Sequence, residues 1–181
     1  MPDEEIPRGV ATLEGGIVHV HFDGACQPPK GPGVATFGFT IEGPGIDFEE
    51  SGLATPPYSE RSTNNVAEYV AAIRALEWLR AHGYRGAVVV SGDSQLVIRL
   101  MKGEYEVRAD HLRAYHEWLV RLATEFASVV WQWIPRAQNS RADALSKEAL
   151  VEAGATARRR RPAGASAVVE EDPEPDGDPP A

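Results

Sequence analysis

Three strand-like runs follow one another between Ile17 and Ala54, with only loop and turn residues to join them. No other feature constrains the fold as much. In the first run Val18, Val20 and Phe22 alternate with Ile17, His19 and His21, the period-2 pattern of a half-buried strand. The second and third, Val34–Ile41 (VATFGFTI) and Ile46–Ala54 (IDFEESGLA), are joined by the turn residues EGPG. Short successive strands of this kind predict an antiparallel meander.

The pattern then changes period. STNN supplies capping chemistry ahead of VAEYVAAIRALEWLRAHG, where Val66, Tyr69, Val70, Ile73 and Leu76 recur at helical spacing and Gly83 lies just past the end. Ala87–Val90 is a β-branched strand ending at SGD, and a short helix follows from Ser94 to about Lys102. Another helix is predicted over about Ala109–Phe126, a fifth strand over Val129–Ile134, and a last helix over about Ser140–Ala153 after the polar loop PRAQNS. The order βββαβααβα predicts an α/β fold: a five-stranded mixed sheet with helices on both faces. Three regions are expected: a flexible N-terminus (1–14), one folded domain (15–153) and a tail (154–181). The tail, rich in Pro, Gly, Ala and acids, has too little apolar surface to offset the entropy of ordering, so disorder is expected there.

Single cysteine use (Cys26) excludes an intrachain disulfide and fits a reducing cytoplasm. The acidic start MPDEEIPRGV is unlike a secretory signal, and no apolar run is long enough to span a bilayer, so no membrane association is expected. A monomer with no obligate protein partner is expected. The formal net charge of −9 argues at first against a nucleic-acid partner. The first ten residues and the last 25 each carry −2, however, leaving −5 on the middle. Bound divalent cations would offset much of that.

Four carboxylates stand at element boundaries. Asp23 closes the first strand, Glu68 falls in the first turn of the long helix, Asp93 follows the fourth strand, and Asp143 falls in the first turn of the last helix. Each is flanked by a small residue: Gly24, Ala67, Gly92 or Ala142. Singly, each has an ordinary explanation, because acids offset helix dipoles and Asp is common in turns. Together they suit a ligand site outside strand ends, provided that the strands carrying Asp23 and Asp93 are parallel neighbours. Several carboxylates at one place suit a pair of Mg²⁺ ions, which can clamp both oxygens of a phosphoryl displacement.

The segments HFDGACQPPKGPG, STNNVAEYVAAIRAL, VSGDSQLVIRLMKGEY and IPRAQNSRADALSKEA, in this order, resemble the four signature regions of the ribonuclease H type 1 family. The resemblance covers about residues 16–152 and implies the ribonuclease H-like fold. It implies hydrolysis of the RNA strand of RNA–DNA hybrids, with 5′-phosphate and 3′-hydroxyl products and two Mg²⁺ ions, Mn²⁺ being a possible substitute. Carried over residue by residue, Asp23 would bridge both ions, Glu68 and Asp93 would lie near one, and Asp143 near the other. Water would be the nucleophile, which leaves Cys26 as a loop residue near the RNA backbone. Backbone groups of Gly24, Ala25 and Cys26, and the side chains of Asn64, Asn65 and Gln95, are the implied substrate contacts. One of the two asparagines could instead cap the helix. Discrimination of RNA from DNA needs such partners for the 2′-hydroxyl.

Three departures from the family pattern matter. Where many members carry a loop histidine, this chain has Arg136, as in the subgroup called archaeal-type. Arginine stays protonated and cannot shuttle protons, but it can hold phosphate bidentately. A basic protrusion found in some members is replaced by the short KGEYEVRAD, and CQPPKGPG departs from the usual glycine loop. The run Arg158–Arg161 offers compensating phosphate contacts or is simply a solvated segment. Two alternatives stand beside the hybrid nuclease. A four-carboxylate 3′–5′ exonuclease would need Asp-x-Glu on the first strand, where Asp23-Gly24-Ala25 stands. A non-catalytic hybrid-binding module would be expected to have lost an acid, and all four are present.

Overall fold

The computed structural model describes residues 16–160, with side chains to residue 154. The predicted flexible N-terminus and most of the predicted tail, including Arg161, lie outside the described residues. Ten elements follow in order: β1 (Val18–Gln27), β2 (Val34–Gly43), β3 (Ile46–Leu53), α1 (Asn64–Ala81), β4 (Ala87–Gly92), α2 (Gln95–Met101), α3 (Asp110–Ala123), β5 (Ser128–Trp133), a 3₁₀ turn (Arg136–Gln138) and α4 (Ser140–Arg160). Among the described residues no helix is long and apolar enough to cross a membrane.

The sheet order is β3-β2-β1-β4-β5. The first three strands pair antiparallel, as a meander should, while β4 pairs parallel with both β1 and β5. Along β1, Val18, Val20 and Phe22 are fully buried and join Tyr69, Leu76, Leu79, Ile98, Leu119 and Leu122 in one core. That core lies between the sheet and α1–α3. The alternate residues of β1 face the other way, toward α4, which packs on β1, β2 and β3.

Two local expectations differ from the structure. β1 does not end at Asp23; it runs on to Gln27, paired with β2 all the way to Gln27↔Val34. Only its parallel pairing with β4 stops, at Phe22↔Gly92. Asp23 therefore sits where one neighbour ends and the other continues. The last helix continues past its predicted end near 153 to Arg160, so Arg158, Arg159 and Arg160 belong to α4. Gly154 costs a helix interior only about 1 kcal/mol relative to alanine, and the flanking Ala, Glu and Arg are strong helix formers.

Candidate active site

Each of the four acids is brought to the edge where β1 and β4 part. Phe22 and Gly92 are register partners on parallel strands, so Asp23 and Asp93 leave the ladder side by side. Glu68 comes from α1. It lies in the second turn, not the first as expected, because Thr63 caps the helix by accepting from the Val66 N–H at 3.3 Å. That also removes the capping role considered for Asn64 or Asn65. Asp143 sits in the first turn of α4, as expected.

Two glycines set the depth of the cluster. A Cβ on Gly24 would lie 2.3 Å from the Glu68 backbone nitrogen, and one on Gly38 would lie 2.6 Å from that of Ser146. Only bare backbone lets α1 and α4 approach the sheet so closely at this point. Gly24 also donates its N–H to Glu68 Oε2 at 3.0 Å, which fixes that carboxylate.

The acids divide by environment. Asp23 and Glu68 are each 5% exposed. Burial, opposed by a hydrogen bond from Ser146 and reinforced by the charges of Asp93 and Asp143, pushes the Asp23 pKa up to about 7. Burial, together with the charges of Asp23 and Asp93, raises Glu68 well above the usual carboxylate range, and the Gly24 N–H and the Arg136 charge offset only part of this. Asp143 is shallower. Burial alone would raise its pKa, but hydrogen bonds from Lys147 and Arg136 prevail and hold it below the ordinary aspartate value. Lys147 Nζ donates to Asp143 Oδ2 at 2.7 Å, and Arg136 Nη2 and Nε donate to Oδ1 at 2.8 and 3.2 Å.

Three polar residues with no assigned role in the sequence reading hold the acids in place. Ser146 is fully buried and donates its hydroxyl to Asp23 Oδ2, with the Asp143 carbonyl oxygen 3.0 Å from the same hydroxyl. Asn139 donates from Nδ2 to the Phe22 carbonyl and to Asp93 Oδ1, both at 2.9 Å. Trp133 Nε1 donates to the Asp93 carbonyl at 3.2 Å. Ser146 and Lys147 were visible as the i+3 and i+4 neighbours of Asp143, which share a helix face with it.

The implied substrate contacts fare differently. Cys26 is not in a loop: it is a buried residue of β1, its Sγ 3.1 Å from the carbonyl oxygens of both Pro28 and Ser62. A thiol so enclosed is structural, and burial raises its pKa. Gly24 and Ala25 lie in the same strand, and the backbone of Gly24 is engaged by α1 as described. Asn64 and Asn65 are half-buried at the start of α1, and Gln95 is exposed at the start of α2. Asn65 also borders an open groove of about 700 Å³ walled by Leu96, Tyr105, Val107 and Leu112. The connection that replaces the basic protrusion lines this groove with Glu104, Glu106 and Arg108. Arg136 is exposed and reaches the acid cluster through Asp143.

Among the described residues no three Asp, Glu, His or Cys side chains close on one point as a preformed metal cage. The acid oxygens are instead taken up by Ser146, the Gly24 N–H, Asn139, Lys147 and Arg136. The donor set nevertheless fits hard divalent cations, which keep waters and substrate phosphates rather than demanding an all-protein cage. The raised pKa values of Asp23 and Glu68 reflect first burial and then the charges of the neighbouring acids, both of which a bound cation would offset. Asn139 Oδ1, buried beside the acids, meets no donor among the described residues, so it is free to accept from a bound group.

Comparison with known proteins agrees with this architecture. A family model described as reverse transcriptase-like matches residues 21–149. Ribonuclease HI of Halobacterium salinarum is 39% identical over 150 residues, covering 82% of this chain and 72% of that protein. The N-terminal RNase H domain of Rv2228c from Mycobacterium tuberculosis, solved as a fusion with maltose binding protein, superimposes with a TM-score of 0.70 at 28% identity, over 79% of this chain and 99% of that one. In sequence, the match to the whole bifunctional protein Rv2228c takes in 50% of this chain but only 24% of that protein. LC11-RNase H1, solved in complex with an RNA/DNA hybrid, gives a TM-score of 0.65 at 33% identity, over 75% of this chain and 98% of that one. A mixed sheet of this order with an acid cluster at one edge defines a ribonuclease H-like fold. The chain belongs to the ribonuclease H type 1 family, and it is an enzyme of that family.

Proposed function

We propose that the chain hydrolyses the RNA strand of RNA–DNA hybrids, leaving 5′-phosphate and 3′-hydroxyl ends, with Asp23, Glu68, Asp93 and Asp143 as the catalytic acids. The observation that carries this reading is the meeting of all four carboxylates at the end of the β1–β4 ladder, two of them buried and short of countercharge. All four come from one chain, so a monomer suffices. The four acids would hold two divalent cations, Mg²⁺ or Mn²⁺. Once bound, these cations supply Lewis-acid polarisation of the scissile phosphate and a more acidic attacking water.

The chain's own groups do the remaining work. Ser146 holds Asp23 through Oδ2 and the Gly24 N–H holds Glu68 through Oε2, contacts that would orient both carboxylates as ligands. Arg136 contributes charge rather than proton transfer. Its planar fork, now on Asp143, is suited to a phosphate oxygen when the substrate arrives. Gln95, exposed at the start of α2, and Asn65, half-buried at the start of α1, would meet 2′-hydroxyls of the RNA strand.

Cleavage of an end-labelled hybrid, with duplex RNA and duplex DNA alongside, tests the proposal. The expected result is RNA-strand cutting that requires Mg²⁺ or Mn²⁺ and is lost in Asp93→Asn. Identical behaviour of wild type and Asp93→Asn under every metal condition would refute it.

A further inference from the structure

The β1–β4 ladder ends at Phe22↔Gly92, one residue before the two acids that share its edge. Beyond that point no backbone pairing holds Asp23 beside Asp93. Like charges would push the strand ends apart. Asn139 stands in that gap. It is 1% exposed, and its single amide nitrogen spends one hydrogen on the Phe22 carbonyl of β1 and the other on Asp93 Oδ1 at the end of β4. Its backbone carbonyl accepts the Asp143 N–H at 3.0 Å, which starts α4. One residue thus touches the segments carrying three of the four acids. The amide cannot be turned the other way, because its oxygen would then face two acceptors.

We propose that Asn139 is a positioning residue that takes over from the backbone ladder and sets the spacing of Asp23, Asp93 and Asp143 for cation binding. The inference rests on the metal-dependent hydrolase reading above and adds to it the element that fixes the ligand spacing. Asn139 touches no reacting atom; it acts through the two strands and the helix that it joins.

The test is calorimetric titration of the full chain with Mn²⁺ alone, backed by steady-state cleavage of a hybrid. Asn139→Ala is compared with wild type, Asp93→Asn and Tyr84→Phe. Tyr84 donates its hydroxyl toward the carbonyls of Gly16 and Ala87 at the far ends of β1 and β4, so Tyr84→Phe loosens the same strands without touching the acids. For Asn139→Ala the expected result is a loss of about 10- to 100-fold in Mn²⁺ affinity and in kcat, the usual cost of removing a partner that orients a ligand. KM for the hybrid should stay near the wild-type value. Tyr84→Phe should bind Mn²⁺ as wild type does, even where its melting temperature falls as far.

Wild-type Mn²⁺ affinity in Asn139→Ala overturns the proposal, and so does an equal loss in Tyr84→Phe, which would reduce Asn139 to general strand support. If wild type itself does not bind Mn²⁺, and Asp93→Asn resembles it, the hydrolase reading falls and this inference with it. If Asp93→Asn loses binding while Asn139→Ala keeps it, only this inference falls.

Discussion

The two halves of the acid cluster are built on opposite principles. Asp23 and Glu68 are sunk between the sheet and its helices and accept hydrogen bonds from uncharged donors, the Ser146 hydroxyl and the Gly24 N–H. Asp143 lies nearer the surface and has a cation on each oxygen, Lys147 on one and Arg136 on the other. Burial and neighbouring acids disfavour charge in one half, while side-chain cations stabilise it in the other. The deep half thus has most to gain from a divalent ion, while the shallow half must exchange a side-chain cation for it.

The largest effect should appear on neutralising the deep half. Asp23→Asn and Glu68→Gln should each lower hybrid cleavage by at least about 100-fold, since even outer partners of a metal site cost that much. In chelator-treated protein at pH 7.5 the same changes should raise stability by about 1–3 kcal/mol, read as a higher urea midpoint. Asp143→Asn should also abolish cleavage but give no such gain, because it deprives Lys147 and Arg136 of their partner. Equal gains from all three would erase the distinction between the halves.

The pH dependence sharpens the same contrast. The folded-state pKa of Asp23, about 7, lies above its ordinary value. Between those values the folded chain keeps a proton that the unfolded chain has lost. Stability contributed by this group is therefore greatest below about pH 4 and falls as pH rises toward 7, by at most about 4 kcal/mol. Asp143 has the opposite sign: its lowered pKa contributes stability above the unfolded value, and this is lost as pH falls through the folded one. Urea melts with chelator at pH 5 and pH 7.5 should show wild type losing more stability than Asp23→Asn over that interval. Added Mg²⁺ should cancel most of the loss at pH 7.5.

A smaller effect comes from the close approach that keeps the deep half deep. Gly24→Ala puts a methyl against the Glu68 backbone and should cost about 1–3 kcal/mol, measured by thermal or urea unfolding. The smallest belongs to the exposed cations. Lys147→Met should change stability by less than about 1 kcal/mol, as an exposed i,i+4 pair does. Arg136→Ala should be equally mild on stability, while its hybrid affinity should show a salt dependence shallower by about one phosphate contact.

The fold, and the chance that four acids at element boundaries meet at one sheet edge, were largely legible in the sequence. Val18, Val20 and Phe22 announce a strand by period, and Val66 to Leu76 a helix, because burial on one face imposes those spacings. The environment of the acids was much less so. Asp23 reads as a strand end because GACQPPKGPG is rich in turn residues. Pairing with β2 carries the strand on to Gln27, and that pairing is a tertiary fact. Glu68 reads as a first-turn acid until Thr63 takes the cap. Asn139 and Ser146 stood in the last signature segment, yet their partners Phe22 and Asp23 lie more than a hundred residues earlier. No local pattern reveals a contact of that range. Gly24 and Gly38 were equally opaque, since what they admit is the backbone of another element.

The reach of those two contacts has a consequence for how the chain comes to be competent. Synthesis proceeds from the N-terminus, and domains tend to fold in that order. β1, β4 and α1 emerge with Asp23, Asp93 and Glu68 long before Asn139 and Ser146 leave the ribosome. Until α4 docks, three acids lie at an edge with nothing from the C-terminal helix to hold them, and long-range closures of this kind come late. The last of the described helices is thus the one that completes the site. A chain cut short before residue 139 would retain the whole β-sheet and three of its acids, but without the fourth acid or the residues that set their spacing.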